Sequence, residues 1–304
     1  MTIATVIRKL RSMLITARLN RRWGGAARRD DRRFVQEAYH LVLHRLPDEA
    51  ALAPLLAHLE QQVPRRVVVE VLLLTSFHED LHALRCDLVR QLPPAEVIAD
   101  LGGACATAAE GALLNMGYPH TPREITIVDL PPDTRLGASN FAHLDRESAN
   151  WVKMGSTRVR YLHQSMSDLS GIADGSVDLV WAGQSIEHVT EPEAVQTLQE
   201  VWRVLRPGGS FCLDTPNRDV TRRQFPHALI HVEHKAEYTV AQLTQLLTQA
   251  GFEIVEVKGL GPMPRTARTR IFQPGELRRN APLSDQPEIS YLIYVQASKP
   301  APAG

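Results

Sequence analysis

VIADLGGACATAAEGALLNMG, residues Val97–Gly117, decides the fold. Val97, Ile98 and Ala99 read as a buried strand ending in Asp100. A glycine pair follows at Gly102 and Gly103, and the small residues after it are expected to wind as a helix to Gly117. A strand, a tight glycine turn and a helix N-terminus together form a common cradle for a nucleotide cofactor. Glycine matters at the turn because a side chain there keeps a ligand away from the backbone. A strict G-x-G-x-x-G is absent, since Ala104 and Ala106 stand where further glycines are expected. Alone, the stretch is equally the strand–turn–helix of any α/β fold.

Outward from it, the pattern alternates between strand and helix, as a parallel sheet requires. Ile125–Val128 is a short β-branched strand ending at Asp129, and Val159–Leu162 is a third strand. Val177–Trp181 is a fourth, introduced by the turn Asp174-Gly175-Ser176. A helix is expected from about Glu193 to Leu205, then a tight turn at Pro207-Gly208-Gly209 and a strand over Ser210–Asp214. Val240–Ala250 reads as a helix closed by Gly251, and Phe252–Lys258 and Ile289–Ala297 read as the last two strands. Residues 261–287, with Pro262, Pro264, Pro274, Pro282 and Pro287, read as an irregular insertion that is basic at its start through Arg265, Arg268 and Arg270.

Upstream of Pro93-Pro94 the reading is helical. Asp30 or Asp31 is placed to cap a helix carrying Phe34, Val35, Ala38, Leu41 and Val42. Pro47-Asp48 opens the next, with Pro54 early in it, and Pro64 opens an apolar helix over Val67–Leu74 that is expected to end near Ser76-Phe77. Before these, Ile3, Ile7, Leu10 and Leu14 recur at helical spacing, widened by Val6, Met13 and Ala17, with Arg8, Arg11 and Arg18 on another face. Such a basic amphipathic helix suits an anionic membrane surface, so residues 1–20 are a candidate for peripheral contact. Arg21, Arg22, Trp23, Gly24 and Gly25 read as the start of a linker.

The 304 residues are 44% hydrophobic and 22% charged, an ordinary globular composition with enough material for a substantial core. Charge is balanced at 34 basic and 34 acidic residues, but residues 1–33 hold ten Lys/Arg against two Asp. A basic tail therefore precedes a mildly acidic body, and nothing beyond the tail suggests a nucleic-acid surface. No apolar run is long enough to span a bilayer. Cys86, Cys105 and Cys212 are too scattered for a CxxC metal clip or a disulfide framework, which fits a reducing, cytoplasmic setting, peripheral to the inner face of a membrane if the tail binds there.

Two resemblances carry the reading further. Tyr39-x-x-x-Leu43-x-Arg45-x-Pro47-Asp48, followed by an apolar helix and Thr75-Ser76-Phe77-His78, resembles a small helical module of bacterial surface and glycan-processing proteins that is similar to phycobilisome linkers. It implies an accessory or protein-docking role for residues 30–92. Asp100-Leu101-Gly102, Asp129, Val177-Asp178-Leu179-Val180-Trp181 and Leu205-Arg206-Pro207-Gly208-Gly209, in that order, resemble the class I S-adenosylmethionine-dependent methyltransferases over about Pro94 to Lys299. The chain then divides into a basic amphipathic tail (1–29), the helical module (30–92) and a methyltransferase domain (93–304). The implied fold is α/β: a Rossmann-like seven-stranded sheet whose last strand is antiparallel, behind a small N-terminal α-helical domain.

The resemblance implies S-adenosylmethionine as cofactor and assigns roles by position. Asp129 stands where an acidic residue accepts from both ribose hydroxyls, and Gly102 and Gly103 let the backbone approach the methionine moiety. Asp100 orients the turn or accepts from the amino group. Ala106 stands at the third glycine position and narrows it, and Ser165-Met166 replaces the usual acidic-then-small pair at the adenine. Gln184 is placed near the methionine end and the transferable methyl. Glu187-His188 resembles the Glu-His of ubiquinone-pathway O-methyltransferases, in which a preceding Glu completes a divalent-metal site. Here Gln184 replaces that Glu, an amide is a poor ligand for a hard cation, and no metal is expected. In-line transfer to oxygen needs alignment and a base. His231 and His234, in the loop from Thr215-Pro216-Asn217-Arg218 to Glu237-Tyr238-Thr239, are the leading base candidates, with His188 third. The expected acceptor is a saccharide or glycan precursor. The alternatives are a quinone-type or other small-molecule hydroxyl, or a non-catalytic adaptor that keeps the fold for binding.

Overall fold

The computed structural model describes residues 3–23, 30–131 and 149–301. Eight strands form one sheet in the order β3-β4-β2-β1-β5-β6-β8-β7. They are β1 (Val97–Leu101), β2 (Glu124–Asp129), β3 (Val152–Met154), β4 (Thr157–His163), β5 (Val177–Gly183), β6 (Leu205–Pro216), β7 (Glu253–Pro262) and β8 (Ser290–Ser298). The strands β4, β2, β1, β5 and β6 run parallel, while β8 is antiparallel to both β6 and β7. This is the expected α/β methyltransferase sheet with one addition: β3 pairs antiparallel with β4 and makes an eighth, edge strand.

From β1 the chain steps outward through β2 and β4, then crosses back to β5 on the other side of β1. Order reverses between β1 and β5, so their carboxyl ends open the crevice where such sheets bind ligands. The strands alternate side chains between two cores, as a period of two requires. Ile98, Leu179, Trp181 and Cys212 face one core, and Ala99, Val180, Ala182 and Phe211 face the other. The second core is covered by α6 (Glu191–Val204), through Ala194, Leu198 and Val201, and by α8 (Val240–Gln249), through Leu243 and Leu247. A Thr190/Glu193 capping box starts α6 at Glu191, slightly before the expected start, and Gly251 at φ +97° follows α8, as expected from sequence.

The first core is closed by a helix that sequence cut short. Instead of ending near Ser76-Phe77, α4 runs unbroken from Arg65 to Val89. Thr75 and Ser76 do not stop it, because Phe77, Leu84, Leu88 and Val89 on its later turns are buried against the sheet. Phe77 meets Tyr291 of β8 edge-on at 5.0 Å. The earlier turns, with Val68, Val69 and Leu72, join a separate core with α2 (Asp31–Leu43) and α3 (Glu49–Glu60). The first helix, α1 (Ile3–Trp23), packs on it too: Leu19 is buried there and the Ser12 hydroxyl bonds Glu70 at 3.1 Å. Arg21, Arg22 and Trp23 therefore end a helix, while Gly24 and Gly25 lie outside the described residues, as do the side chains of Ile3, Val6, Ile7, Arg8 and Leu10. Met13 and Leu14, from the apolar stripe, face outward at 53% and 72% exposure. No helix among the described residues is long and apolar enough to cross a membrane.

Two further expectations change in detail. The helix after the glycine pair is only one turn, α5 (Ala112–Asn115), preceded by an open loop over residues 104–111. Gly111 at φ +92° breaks any continuous helix, and the loop is pinned instead by Asp129, which accepts from the Ala104 N–H, and by the Tyr161 hydroxyl, which donates to the Ala109 carbonyl. The Pro207-Gly208-Gly209 turn is built inside a continuous β6 as a bulge. Val177 pairs with Leu205 but Leu179 with Ser210, and the Lys299 backbone sews the extra residues down.

Candidate active site

The glycine turn at the end of β1 is a cradle formed by close approach. Gly102 sits at φ +76°, and a Cβ there would lie 2.8 Å from Ser185 Cβ. A Cβ on Gly103 would lie 2.1 Å from the Asp100 carboxyl, and one on Gly111 2.4 Å from Ile127 Cδ1. These three positions require glycine. Ala106, expected to narrow the cradle, is instead exposed on the loop.

Asp100 is buried and its Oδ2 has no hydrogen-bond partner among the described residues. Burial pushes its carboxyl up to about 7; the Leu113 N–H opposes this, the Asp129 charge adds to it, and Arg85 opposes it. The folded protein therefore holds a proton that an unfolded chain releases in the ordinary carboxylate range. The stability this group contributes is full below that range and is lost as pH rises towards 7. Asp100→Asn is expected to flatten that decline, measured by denaturant unfolding across the interval; an unaltered slope would show that Asp100 does not titrate there.

Asp129, at the end of β2, uses Oδ2 for the Ala104 N–H at 3.0 Å and Oδ1 for the Leu130 N–H at 2.8 Å. Ser165 and Met166 follow β4 on the same edge, where Gln164 N–H reaches the Asp129 carbonyl. The Ser165 hydroxyl is 2.8 Å from that of Ser167, and Met166 packs on the second core. Gln184, at φ +55°, ends β5, and its side-chain amide donates to Asp214 at 2.8 Å. An orphaned buried carboxylate oxygen and a turn that a Cβ would fill fit a cofactor with a cationic, zwitterionic end.

The other half of the site lies at the ends of β5 and β6. His188 closes a short 3-10 turn after β5, and its ring lies 4.9 Å from that of His234, which is 5.5 Å from that of His231. All three histidines singled out from sequence are thus brought together, but their surroundings differ. His231 is about half exposed, with Glu233 at 3.8 Å. His234 is nearly buried, its Nδ1 3.0 Å from Oε1 of the fully buried Glu237. Burial alone would raise Glu237, but hydrogen bonds from His234, from Thr221 and from the Ile230 N–H outweigh it and hold the carboxyl below its usual range. Glu237 is therefore the acceptor and His234 Nδ1 the donor in this contact. Beside it Glu187 is fully buried. Its Oε2 accepts from Thr215 Oγ1 at 2.9 Å, and its Oε1 has no partner among the described residues. Burial pushes Glu187 up to about 7, against the Glu187 backbone, the His234 charge and the Thr215 hydroxyl. Burial, reinforced by His234, pushes His188 down.

Sequence reasoning missed the contribution of α4. Arg85 Nε donates to the buried Asp214 carboxylate at 2.9 Å, and Nη2 donates at 3.3 Å. A helix outside the sheet therefore supplies a charge beside Gln184, and its His78 lies near enough to His231 for that charge to add to the lowering by burial. No spacing links Arg85 to Asp214, so only the fold reveals the pair. Asp214 itself was visible, as an acid at the carboxyl end of a strand. Arg85→Ala is expected to destabilise the protein by about 3–5 kcal/mol by leaving Asp214 buried and unpaired. Thermal unfolding measures this, and Arg85→Lys should restore only part of it because an ammonium lacks the fork.

Comparison with known proteins agrees with this fold. Residues 107–213 match the family described as "Methyltransferase domain". A "Probable S-adenosylmethionine-dependent methyltransferase/" of Mycolicibacterium smegmatis is 36% identical over 116 residues, 38% of this chain and 44% of that protein. A ubiquinone biosynthesis O-methyltransferase of Xanthomonas oryzae is 28% identical over 209 residues, 64% of this chain and 77% of that one. The chain thus spans less than half of the first relative and about three quarters of the second. The fold is shared with the complex between the Haloferax volcanii Trm112 methyltransferase activator and its methyltransferase, at TM-score 0.50 and 16% identity, covering 76% of this chain and 94% of that one. The family match lies wholly outside the helical module, whose resemblance to phycobilisome linkers gains no support. The chain carries an S-adenosylmethionine-dependent methyltransferase domain on a Rossmann-like sheet, and S-adenosylmethionine is its cofactor.

Proposed function

We propose that the enzyme methylates a hydroxyl oxygen, and that Glu187, His188 and His234 activate that oxygen. The observation that carries this reading is the convergence of these three side chains at the carboxyl ends of β5 and β6, beside the crevice. Oxygen acceptors must lose a proton to become competent, so a site built for them needs buried proton-handling groups. When bound, S-adenosylmethionine supplies a methyl group already activated on a sulfonium. The chain's own part is to hold it: Gly102 and Gly103 would admit the methionine end, Asp100 would face the ammonium, Asp129 the ribose hydroxyls, and Ser165 and Met166 the adenine. Gln184 and Arg85 fix Asp214 and so the wall between cofactor and acceptor.

Similarity to the ubiquinone-pathway enzyme supports a phenolic acceptor. A phenol is also the more acidic hydroxyl, titrating near 10 as in tyrosine, and is within reach of a Glu–His cluster. A saccharide hydroxyl is the second reading. It is favoured by Arg222, Arg223 and Arg270, which lie close enough for the other two charges to add to burial in lowering Arg223. Such a cluster suits the phosphate of an activated sugar. Transfer of tritiated methyl to fractionated cell extract tests both. Label in small phenolic compounds supports the first reading, and label confined to glycan or lipid-linked pools supports the second. Label found on nitrogen overturns O-methylation.

A further inference from the structure

We propose that the outward face of α1, together with the arginines of the insertion beside it, is a preformed docking surface for an anionic lipid bilayer. The helix is packed the wrong way round for a free amphipathic tail. Its inner face turns Ser12, Thr16 and Leu19 towards α2 and α4, and all three are buried. The Ser12 hydroxyl serves the Lys9 carbonyl and Glu70 there. The larger apolar side chains Met13 and Leu14 are left outside, Leu14 at 72% exposure. A single exposed leucine needs no explanation, but this one is framed by charge. Arg11, Arg18 and Arg21 lie three, four and seven residues from Leu14, so they share its face of the helix. All three are exposed and form no ion pair among the described residues. The sequence spacing had set Arg11 and Arg18 apart from Leu14; packing brings them to one side.

The basic surface continues onto the sheet domain. A Cβ on Gly275 would lie 3.9 Å from Arg11 Nη1. The helix α1 also touches α7 (Arg218–Gln224), which packs in turn on α9 (Pro264–Thr269). In and after α9, Arg265, Arg268 and Arg270 are exposed and form no ion pair among the described residues. The neighbouring acid, Glu276, is already engaged by the N–H groups of Arg265 and Thr266. Charge complementarity then selects the occupant. A second copy of the chain would set arginine against arginine. A soluble polyanion would use the arginines but leave Met13 and Leu14 in water. A bilayer with anionic headgroups takes both: the guanidinium groups stay at headgroup level while the two apolar side chains enter the acyl boundary. Because α1 is already folded on the body, docking carries no cost of ordering a helix. The proposal concerns this face alone and does not depend on which acceptor is methylated.

The test is sedimentation of the full chain with vesicles of mixed phosphatidylglycerol and phosphatidylcholine, and with phosphatidylcholine alone. Binding is expected only to the mixed vesicles, and it should weaken as salt is raised. Leu14→Glu should weaken it about 10-fold or more. The double variant Arg11→Gln/Arg18→Gln should weaken it about 20-fold, since each arginine near such a surface contributes about fivefold. Arg123→Gln removes an exposed charge at the amino-terminal edge of the sheet and should bind as wild type does. S-adenosylhomocysteine binding confirms that each variant is folded. Far-UV circular dichroism should show the same helix content with and without vesicles. If the chain does not sediment with mixed vesicles, or if the Leu14 and arginine variants sediment like wild type, the proposal is overturned. A gain of helix on binding also overturns it, because a segment that folds at the bilayer is then responsible. So does vesicle binding that heparin competes away and Leu14→Glu leaves intact, which marks a surface for soluble polyanions.

Discussion

His234→Ala is expected to lower kcat for methyl transfer by about 10²- to 10⁴-fold, the range over which a positioned proton-handling group contributes. S-adenosylhomocysteine affinity should stay unchanged, because the proposed role of His234 is on the acceptor. The imidazole sits with Nδ1 committed to Glu237 and lies beside Glu187 and His188. Glu237→Gln should give a smaller loss in the same parameter, since it loosens the tautomer without removing the ring. Single-turnover transfer and calorimetry with S-adenosylhomocysteine, run on the same preparations, separate the two halves. A matching loss of cofactor affinity would mean that the loop from Ile230 to Glu237 holds the crevice together and does not act on the acceptor.

Asp129→Ala should raise the dissociation constant for S-adenosylmethionine about 10²-fold or more. On the proposed reading, the two charge-assisted hydrogen bonds that Asp129 would accept from the ribose hydroxyls account for most of this, at about 1.5–3 kcal/mol each. A second contribution comes from the cradle: Asp129 Oδ2 holds the Ala104 N–H, so its loss also frees the loop between Gly103 and Gly111. Asp129→Asn keeps an acceptor for Ala104 and should fall between the two. Calorimetry checks the series, and an Asp129→Ala protein with wild-type affinity would show that the ribose is held elsewhere.

The sheet was legible because its signals are local. A β-branched run such as Ile125–Val128, a turn such as Asp174-Gly175-Ser176 or a C-capping Gly251 declares itself within a few residues. The strand ends that carry Asp100, Gly102, Gly103 and Asp129, the residues proposed for the cofactor, were legible for the same reason. What stayed hidden depends on tertiary contact. Nothing within Arg65–Val89 tells that Phe77 meets Tyr291 or that Arg85 reaches Asp214, yet those contacts keep α4 helical past Thr75 and Ser76. The helix expected after Gly103 shrank to one turn because Gly111, at φ +92°, is not helical and the distant Asp129 and Tyr161 pin the open loop before it. Three histidines in one region could be named from sequence, but only burial separates the half-exposed His231 from His234, backed by Glu237.

The place of β8 has a consequence for how the protein is made. It is the C-terminal strand of the sheet, yet it is threaded between β6 and β7, pairing with both, and it carries Tyr291 against Phe77 of α4. While the chain emerges from the ribosome, β6 has an open edge and the later turns of α4 lack part of their apolar cover until residues 290–298 are released. The nascent protein therefore passes through a stage with an unpaired edge and exposed aromatic surface, a species prone to aggregation and attractive to chaperones. Because Asp214 and Thr215 lie on β6 opposite Tyr294 and Ile293, the wall of the active site is completed by the same late event. That wall cannot close before β8 has paired with β6.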